Sequence, residues 1–171
     1  MRRARADGWA RTIGACLGAG LAVAALASAR VPAGAGELGL DLTVAATATG
    51  ELGVTPPGPA IRVAGMRPGS GAATGTVAVR NQTGRRRALR LRALPSSAEV
   101  DRALRVRASA GGAVLYDGEL GGMRRWTSRA IELGSGATAT LTLRAWLPEG
   151  ATRWAGRIVD VPLELTTEGA R

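Results

Sequence analysis

The feature that most constrains this chain is an alternation of apolar and polar residues with a period of two. It is clearest where Leu38, Leu40, Leu42 and Val44 alternate with small or polar residues. Successive side chains of a β-strand point to opposite faces, so such a stretch predicts a strand with one buried and one exposed face. The pattern recurs in residues 76–80, 89–93, 104–108, 140–147 and 159–165.

Glycine- and proline-rich stretches, such as residues 56–59 and 67–71, separate the predicted strands. One-sided strands between turns of this kind predict an all-β fold, an antiparallel β-sandwich of the jelly-roll-like type. Pro162 lies inside the last predicted strand and places that strand at a sheet edge. One helical turn is predicted after Pro95, with Ser96 as its N-cap and Glu99 three residues further on.

The N-terminus has the composition of an export signal. An arginine-rich segment at residues 2–11 precedes an uncharged apolar stretch at residues 12–27, and the small-x-small triplet Ala-Ser-Ala follows at residues 27–29. This order predicts a signal peptide over residues 1–29, with cleavage after Ala35 as the alternative. We expect contact with a membrane only through this segment, before it is cleaved.

Other interpretations of the same segment remain: an uncleaved signal anchor, a lipidated Cys16, or a twin-arginine signal beginning at Arg2. The apolar run follows Cys16, however, whereas a lipobox has it before the cysteine. Cleavage would remove Cys16, the one cysteine of the chain, which suits a secreted protein that folds without disulfides. Residues 30–59 are predicted to form an N-terminal strand and a Gly/Pro-rich linker, and residues 60–171 the sandwich domain.

Composition argues against most catalytic designs. The chain has no His, which removes the commonest general base and metal ligand, and a single Cys cannot build a zinc cluster. The two close acidic pairs, Glu99/Asp101 and Asp117/Glu119, predict solvated turns rather than a calcium site or a catalytic dyad. Residues 81–83 (Asn-Gln-Thr) fit a glycosylation sequon, but a turn is the favoured interpretation. We predict a non-enzymatic protein without metal or cofactor.

Arginine is the unusual chemical feature. All 23 basic residues are Arg, against 13 acidic residues, and the formal net charge is +10. If the strands that carry them pair, the arginines would form one face able to hold an anionic cell-wall polymer, nucleic acid or lipid. No aromatic residue is interleaved with them, which argues against specific nucleic-acid readout. The alternative is a coding preference for Arg over Lys. The candidate face comprises Arg85, Arg86, Arg87, Arg90, Arg92, Arg105 and Arg107.

Several motifs, taken in order, resemble those of the TasA/camelysin-like family. Met-Arg-Pro-Gly at residues 66–69, followed by the strand and turn of residues 76–84, resembles the start of its domain. Residues 104–107 with Val-Leu-Tyr-Asp-Gly-Glu-Leu at residues 114–120 resemble its central hairpin, and residues 133–143 its later turn and strand. Trp-Leu-Pro at residues 146–148, followed by Trp-Ala-Gly, is similar to its late aromatic segment.

The resemblance implies an exported β-sandwich of a Gram-positive bacterium, processed by a dedicated signal peptidase of the SipW type. Camelysin-type members are described as metalloproteases, a role for which this chain has no histidine ligand. TasA-type members build matrix fibres by donating an N-terminal strand to a neighbour. Residues 37–46 would supply that strand here, with Leu38, Leu40, Leu42 and Val44 as its apolar face.

These observations together predict a secreted structural or cell-surface protein, extracellular or associated with the cell wall, that self-associates by strand donation. The alternative is an extracellular binding module whose arginine-rich face holds an anionic polymer.

Overall fold

The computed structural model describes residues 39–151 and 156–169. The predicted signal peptide, both cleavage sites, Cys16 and Leu38 lie outside these residues. The described part of the chain forms ten strands, a short α-helix and a 3₁₀ helix. The elements are β1 (Leu40–Ala48), β2 (Leu52–Thr55), β3 (Pro59–Met66), β4 (Ala73–Asn81), β5 (Arg87–Ala93), α1 (Ala98–Ala103), β6 (Arg105–Ala110), β7 (Ala113–Glu119), the 3₁₀ helix (Leu120–Arg124), β8 (Ile131–Leu133), β9 (Thr138–Trp146) and β10 (Ile158–Gly169).

The strands form two five-stranded sheets. Sheet A has the order β3-β1-β10-β5-β8, and sheet B has the order β2-β4-β9-β6-β7. Their apolar faces meet in one core, where Leu42 and Leu165 of sheet A and Leu141 of sheet B are at most 1% exposed. The predicted all-β sandwich is confirmed, and so is its alternation: in β9, Leu143 is buried while Thr140 is exposed.

The first and last strands of the sandwich lie side by side and run in the same direction. β1 pairs with β10 from Asp41–Ile158 to Ala48–Leu165, and this is the one parallel pairing among the described strands. On its other side β1 pairs with β3 in the antiparallel direction. The first strand is therefore held on both sides within sheet A.

This arrangement corrects the predicted domain boundary at residue 60. Residues 40–48 are a central strand of sheet A, and residues 52–55 are the edge strand of sheet B, paired with β4. Leu40 and Leu42 are each 1% exposed, so the apolar face of β1 is buried in the same core as the other strands. The Gly/Pro-rich stretch contains β2, which is a strand of sheet B. This stretch is therefore part of the sandwich and does not act as a linker.

The placement of β10 also corrects the prediction from Pro162, since β10 lies in the centre of sheet A. Pro162 lies opposite Leu94, one residue beyond the end of β5. Its carbonyl accepts a hydrogen bond from the N–H of Leu94 at 2.9 Å. The missing N–H of Pro162 therefore removes one hydrogen bond, at the end of the ladder between β10 and β5. A central strand tolerates the loss of a bond at that position.

The helical turn is shifted by one residue from its predicted start. Ser97, not Ser96, is the N-cap of α1, and its side chain accepts a hydrogen bond from the N–H of Val100. The Ser96 hydroxyl instead donates to the carboxylate of Asp101 at 2.8 Å. Arg124 of the 3₁₀ helix donates to the same carboxylate, with Nε 2.8 Å from Oδ2. This ion pair fastens α1 to the 3₁₀ helix.

Glycine allows the two sheets to approach each other closely at one edge. A Cβ atom on Gly75 of β4 would lie 1.8 Å from the carbonyl oxygen of Ala60 on β3. No side chain fits between β3 of sheet A and β4 of sheet B at this point. β3 and β4 are therefore in direct backbone contact at this point.

Candidate functional site

The structure divides the predicted arginine face between the two sheets. Arg85 and Arg86 lie in the turn that leads to β5, and Arg87, Arg90 and Arg92 lie on β5 in sheet A. Arg105 and Arg107 lie on β6 in sheet B. The condition for a single arginine face, that these strands pair, is not met, because β5 and β6 lie in different sheets.

Carboxylates on neighbouring elements accompany four of these arginines. Cross-strand partners lie directly opposite in three cases, Arg92–Glu164, Arg105–Glu119 and Arg107–Asp117. Each of these three arginines therefore faces a carboxylate on the neighbouring strand. The shortest nitrogen–oxygen distances are 3.3 Å for Arg86–Glu132, 2.7 Å for Arg92–Glu164, 3.5 Å for Arg105–Glu119 and 3.7 Å for Arg107–Asp117.

The acidic pairs consequently have roles that the sequence did not indicate. Asp117 and Glu119 were predicted in a turn, but they lie on strand β7 and face the arginines of β6. Asp101 lies in α1 and binds Arg124, whereas Glu99 forms an exposed ion pair with Arg157 at 2.7 Å. Within the described residues, no three acidic, His or Cys side chains come close enough to hold a metal ion.

On the outer face of sheet A, Arg92 contacts two side chains. Its guanidinium lies 4.4 Å from the ring centroid of Trp126 and also binds Glu164. The carboxylate offsets the charge of Arg92, and the aromatic ring covers one side of its guanidinium, so both weaken its attraction for an anion. Arg92 therefore stabilises the surface of sheet A rather than offering an anion site.

The outer face of sheet B is different, because two arginines face each other there. Arg107 on β6 lies directly opposite Arg144 on β9. Both line an open groove of about 460 Å³ together with Trp146, Asp117 and residues of two adjacent loops. The sequence placed Arg144 and Trp146 on the polar face of their strand, but only the pairing of β9 with β6 brings them beside Arg107. A sequence pattern cannot supply that pairing.

The predicted assembly strand is buried within its own sheet. Leu40, Leu42 and Val44 are 1%, 1% and 2% exposed, and β1 fills the position between β3 and β10. Leu38 lies outside the described residues. The apolar face is therefore where the alternation places it, but it serves this chain's own core.

The glycosylation sequon is an internal polar junction. Asn81 is 0% exposed, and its Nδ2 donates to the carbonyl oxygens of Arg85, Leu133 and Gly134 at 2.8, 3.0 and 2.9 Å. An amide with these partners has no free hydrogen for a glycan in the folded domain. The turn interpretation of this segment is thus the one that the geometry supports.

One ionisable group has a perturbed environment. Burial, followed by the nearby charge of Glu119, raises the pKa of Tyr116 above its ordinary value of 10.0. Its hydroxyl donates to the backbone carbonyl of Glu119. This tyrosine is neutral at physiological pH and serves as a hydrogen-bond donor that closes the end of β7.

Comparison with known proteins adds no relative: no protein-family model matches the sequence, and no curated protein is detectably similar to it. The resemblance to the TasA/camelysin-like family therefore depends on the quoted motifs alone. None of the helices formed by residues 39–151 and 156–169 has the length and hydropathy needed to cross a bilayer.

Proposed function

We propose that this chain is an exported, non-enzymatic structural protein of the cell surface or extracellular matrix, and that it is built to bear tension. The observation that carries the proposal is the parallel pairing of β1 with β10. The described chain enters the sandwich through the start of β1 and leaves it through the end of β10. Because the two strands are parallel, these points lie at opposite ends of one ladder.

A pull on the two ends of the chain would slide β1 along β10. All the hydrogen bonds of the ladder, which spans eight residue pairs, would then carry the load together. If the two strands are instead pulled apart from one end of the ladder, the hydrogen bonds break one at a time. The unfolding force is then lower. β3 and β5 flank the pair, so neither strand can leave without also breaking a second ladder.

The sequence supports the extracellular part of the proposal. A signal-like N-terminus precedes the sandwich, and the chain after it has no cysteine, so the redox state of the surroundings does not affect its folding. We expect the exported protein to begin at Arg30 or Gly36 and to contain no thiol. N-terminal sequencing of the secreted product tests this directly, and an intact Met1 would refute export by cleavage.

Self-association takes a restricted form in this proposal. The position that a donated strand would occupy is already filled by the chain's own β1. Two copies could therefore share this strand only by exchange, each giving β1 and receiving that of the other. The alternative function, binding through one arginine face, loses its original basis because β5 and β6 lie in different sheets. The alternative function is now limited to the surface around Arg107 on sheet B.

Single-molecule pulling in two directions tests the proposed role. Handles at the N-terminus and after Gly169 load β1 and β10 in shear. Handles at the N-terminus and at Ile158→Cys load the same ladder from one end, because Ile158 pairs with Asp41. Ile158 is 67% exposed, so the substitution leaves the core intact.

We expect a markedly higher unfolding force in the first direction than in the second, at the same pulling rate. Equal forces in the two directions would refute the tension-bearing role.

A further inference from the structure

Two neighbouring arginines, of which one has a carboxylate partner, mark a site on the outer face of sheet B. Like charges directly opposite each other on neighbouring strands destabilise a sheet, and Arg107 and Arg144 are such a pair. Asp117 offsets the charge of Arg107 at 3.7 Å. Arg144 is exposed, and no residue in the described ranges forms an ion pair or hydrogen bond with its side chain. One guanidinium thus faces the groove with all its donors available.

The groove beside Arg144 has a defined shape. Its lining includes the half-buried Trp146, residues of the loop at Gly69–Ala72 and the segment Leu147–Glu149. The N–H of Gly69 donates to the carbonyl of Leu147 at 3.0 Å, which joins the loop to this segment. The volume, about 460 Å³, is within the range of small-ligand sites.

The groups in the groove are chemically mixed. The guanidinium of Arg144 suits a carboxylate, which it can bind through two parallel hydrogen bonds. The indole of Trp146 offers an apolar face with a polar edge. Asp117 and Glu149 are acceptors for hydroxyl groups, and both would repel a densely charged polyanion such as nucleic acid.

We propose that this groove binds an acidic sugar unit of an extracellular polysaccharide. The sugar carboxylate pairs with Arg144, the ring lies against Trp146, and ring hydroxyls donate to Asp117 and Glu149. A ring that carries one acid group and several hydroxyls is the ligand class that uses all four side chains. The site does not depend on the tension-bearing role, and either can fail without the other.

Isothermal titration of the protein with a galacturonic acid trimer tests the proposal. We expect binding that Arg144→Gln weakens by about tenfold or more, the effect of losing a charge-assisted pair. Arg62→Gln is the matched control, because Arg62 is an exposed arginine on β3 of the other sheet. It removes the same charge and should change affinity by less than about twofold. Circular dichroism of both variants verifies that the fold is retained.

Four outcomes would overturn the proposal, the last of them with a neutral sugar. The first is equal weakening by Arg144→Gln and Arg62→Gln, which would indicate attraction to the overall positive charge. The second is binding of a DNA oligomer or inorganic phosphate as tightly as the acidic trimer. The third is no binding of the trimer at millimolar concentration. A neutral galactose trimer should bind much more weakly than the acidic one, and equal binding would remove Arg144 from the site.

Discussion

The side-chain oxygen of Asn81 accepts two hydrogen bonds from Thr83, one from its backbone N–H at 2.9 Å and one from its hydroxyl at 2.7 Å. The amide nitrogen of Asn81 reaches the other way, to carbonyl groups that include that of Leu133 on β8. Asn81 ends a strand of sheet B, and β8 belongs to sheet A. One buried amide therefore joins the two sheets.

Replacement of this amide should be costly. Asn81→Asp places a carboxylate oxygen against three carbonyl oxygens and removes both N–H hydrogens of the amide, so we expect a loss of about 3 kcal/mol or more in the free energy of unfolding. Gln82 is exposed and adjacent, and Gln82→Ala should cost less than about 0.5 kcal/mol. Urea denaturation measures both. A mild effect of Asn81→Asp would mean that the junction contributes little.

The alternation in β9 makes a second prediction. Leu143 is 0% exposed, so Leu143→Asp would bury an unpaired charge and should cost about 4 kcal/mol or more. Thr142 lies on the outer face, and Thr142→Asp should cost less than about 1 kcal/mol. Thermal or urea unfolding compares the two variants. Similar losses at both positions would contradict the register.

Two acidic residues of α1 provide a matched comparison of ion pairs. Asp101 binds Arg124 with both side chains only 19% exposed, whereas the Glu99–Arg157 pair is 62% and 52% exposed. Loss of the first pair leaves a partly buried guanidinium without its carboxylate, so Asp101→Ala should cost about 2 kcal/mol. Glu99→Ala should cost less than about 0.5 kcal/mol. If chemical denaturation gave Glu99→Ala the larger loss, the proposed role of the 3₁₀ helix contact would be wrong.

Tyr116 predicts a loss of stability in alkali. Its pKa is raised in the folded state by burial and by Glu119, above the value of 10.0 that applies to the unfolded chain. The unfolded chain therefore releases this proton first, and the free energy of unfolding falls as the pH rises through and beyond 10. Tyr116→Phe should remove this part of the pH dependence. Tyr116 is the one tyrosine of the chain, so tyrosinate absorbance reports its titration directly.

Removal of the first strand should prevent folding. A chain that begins at Val54 lacks β1, which leaves a gap between β3 and β10 in the middle of sheet A, and it also lacks the first two residues of β2. We expect such a chain to show no cooperative unfolding, and a synthetic peptide of residues 39–53 to restore it. Circular dichroism with and without the peptide makes the measurement. A stable, monomeric chain from Val54 onward would show that β1 is dispensable.

The sequence predicted the parts of the fold that depend on local pattern. The alternation at Leu141 and Leu143 identifies the buried face of β9 without reference to any other strand. Neighbours across a sheet are a different matter, because they depend on which strands meet. Pro162 was placed at an edge because proline cannot donate, yet its position at the end of the β5 ladder makes that loss harmless.

The candidate site shows the same limit. Arg107 was identified from its charge, but its neighbour Arg144 lies far along the chain and becomes relevant only through the pairing of β6 with β9. The ion pairs Arg105–Glu119 and Arg107–Asp117 were likewise hidden, since their members lie on different strands. A single sequence supplies the facing direction of each side chain and leaves the neighbour on the next strand undetermined.

The pairing of β1 with β10 also sets the order of events during synthesis. β1 is synthesised before β10 and cannot complete its pairing until β10 is present. Its place in sheet A lies between β3 and β10, which ends at Gly169. Contacts between residues so far apart in sequence form late. Sheet A therefore cannot close until β10 has been made. Under the proposed export, the same ladder that closes the finished domain would keep the chain unfolded while it crosses the membrane.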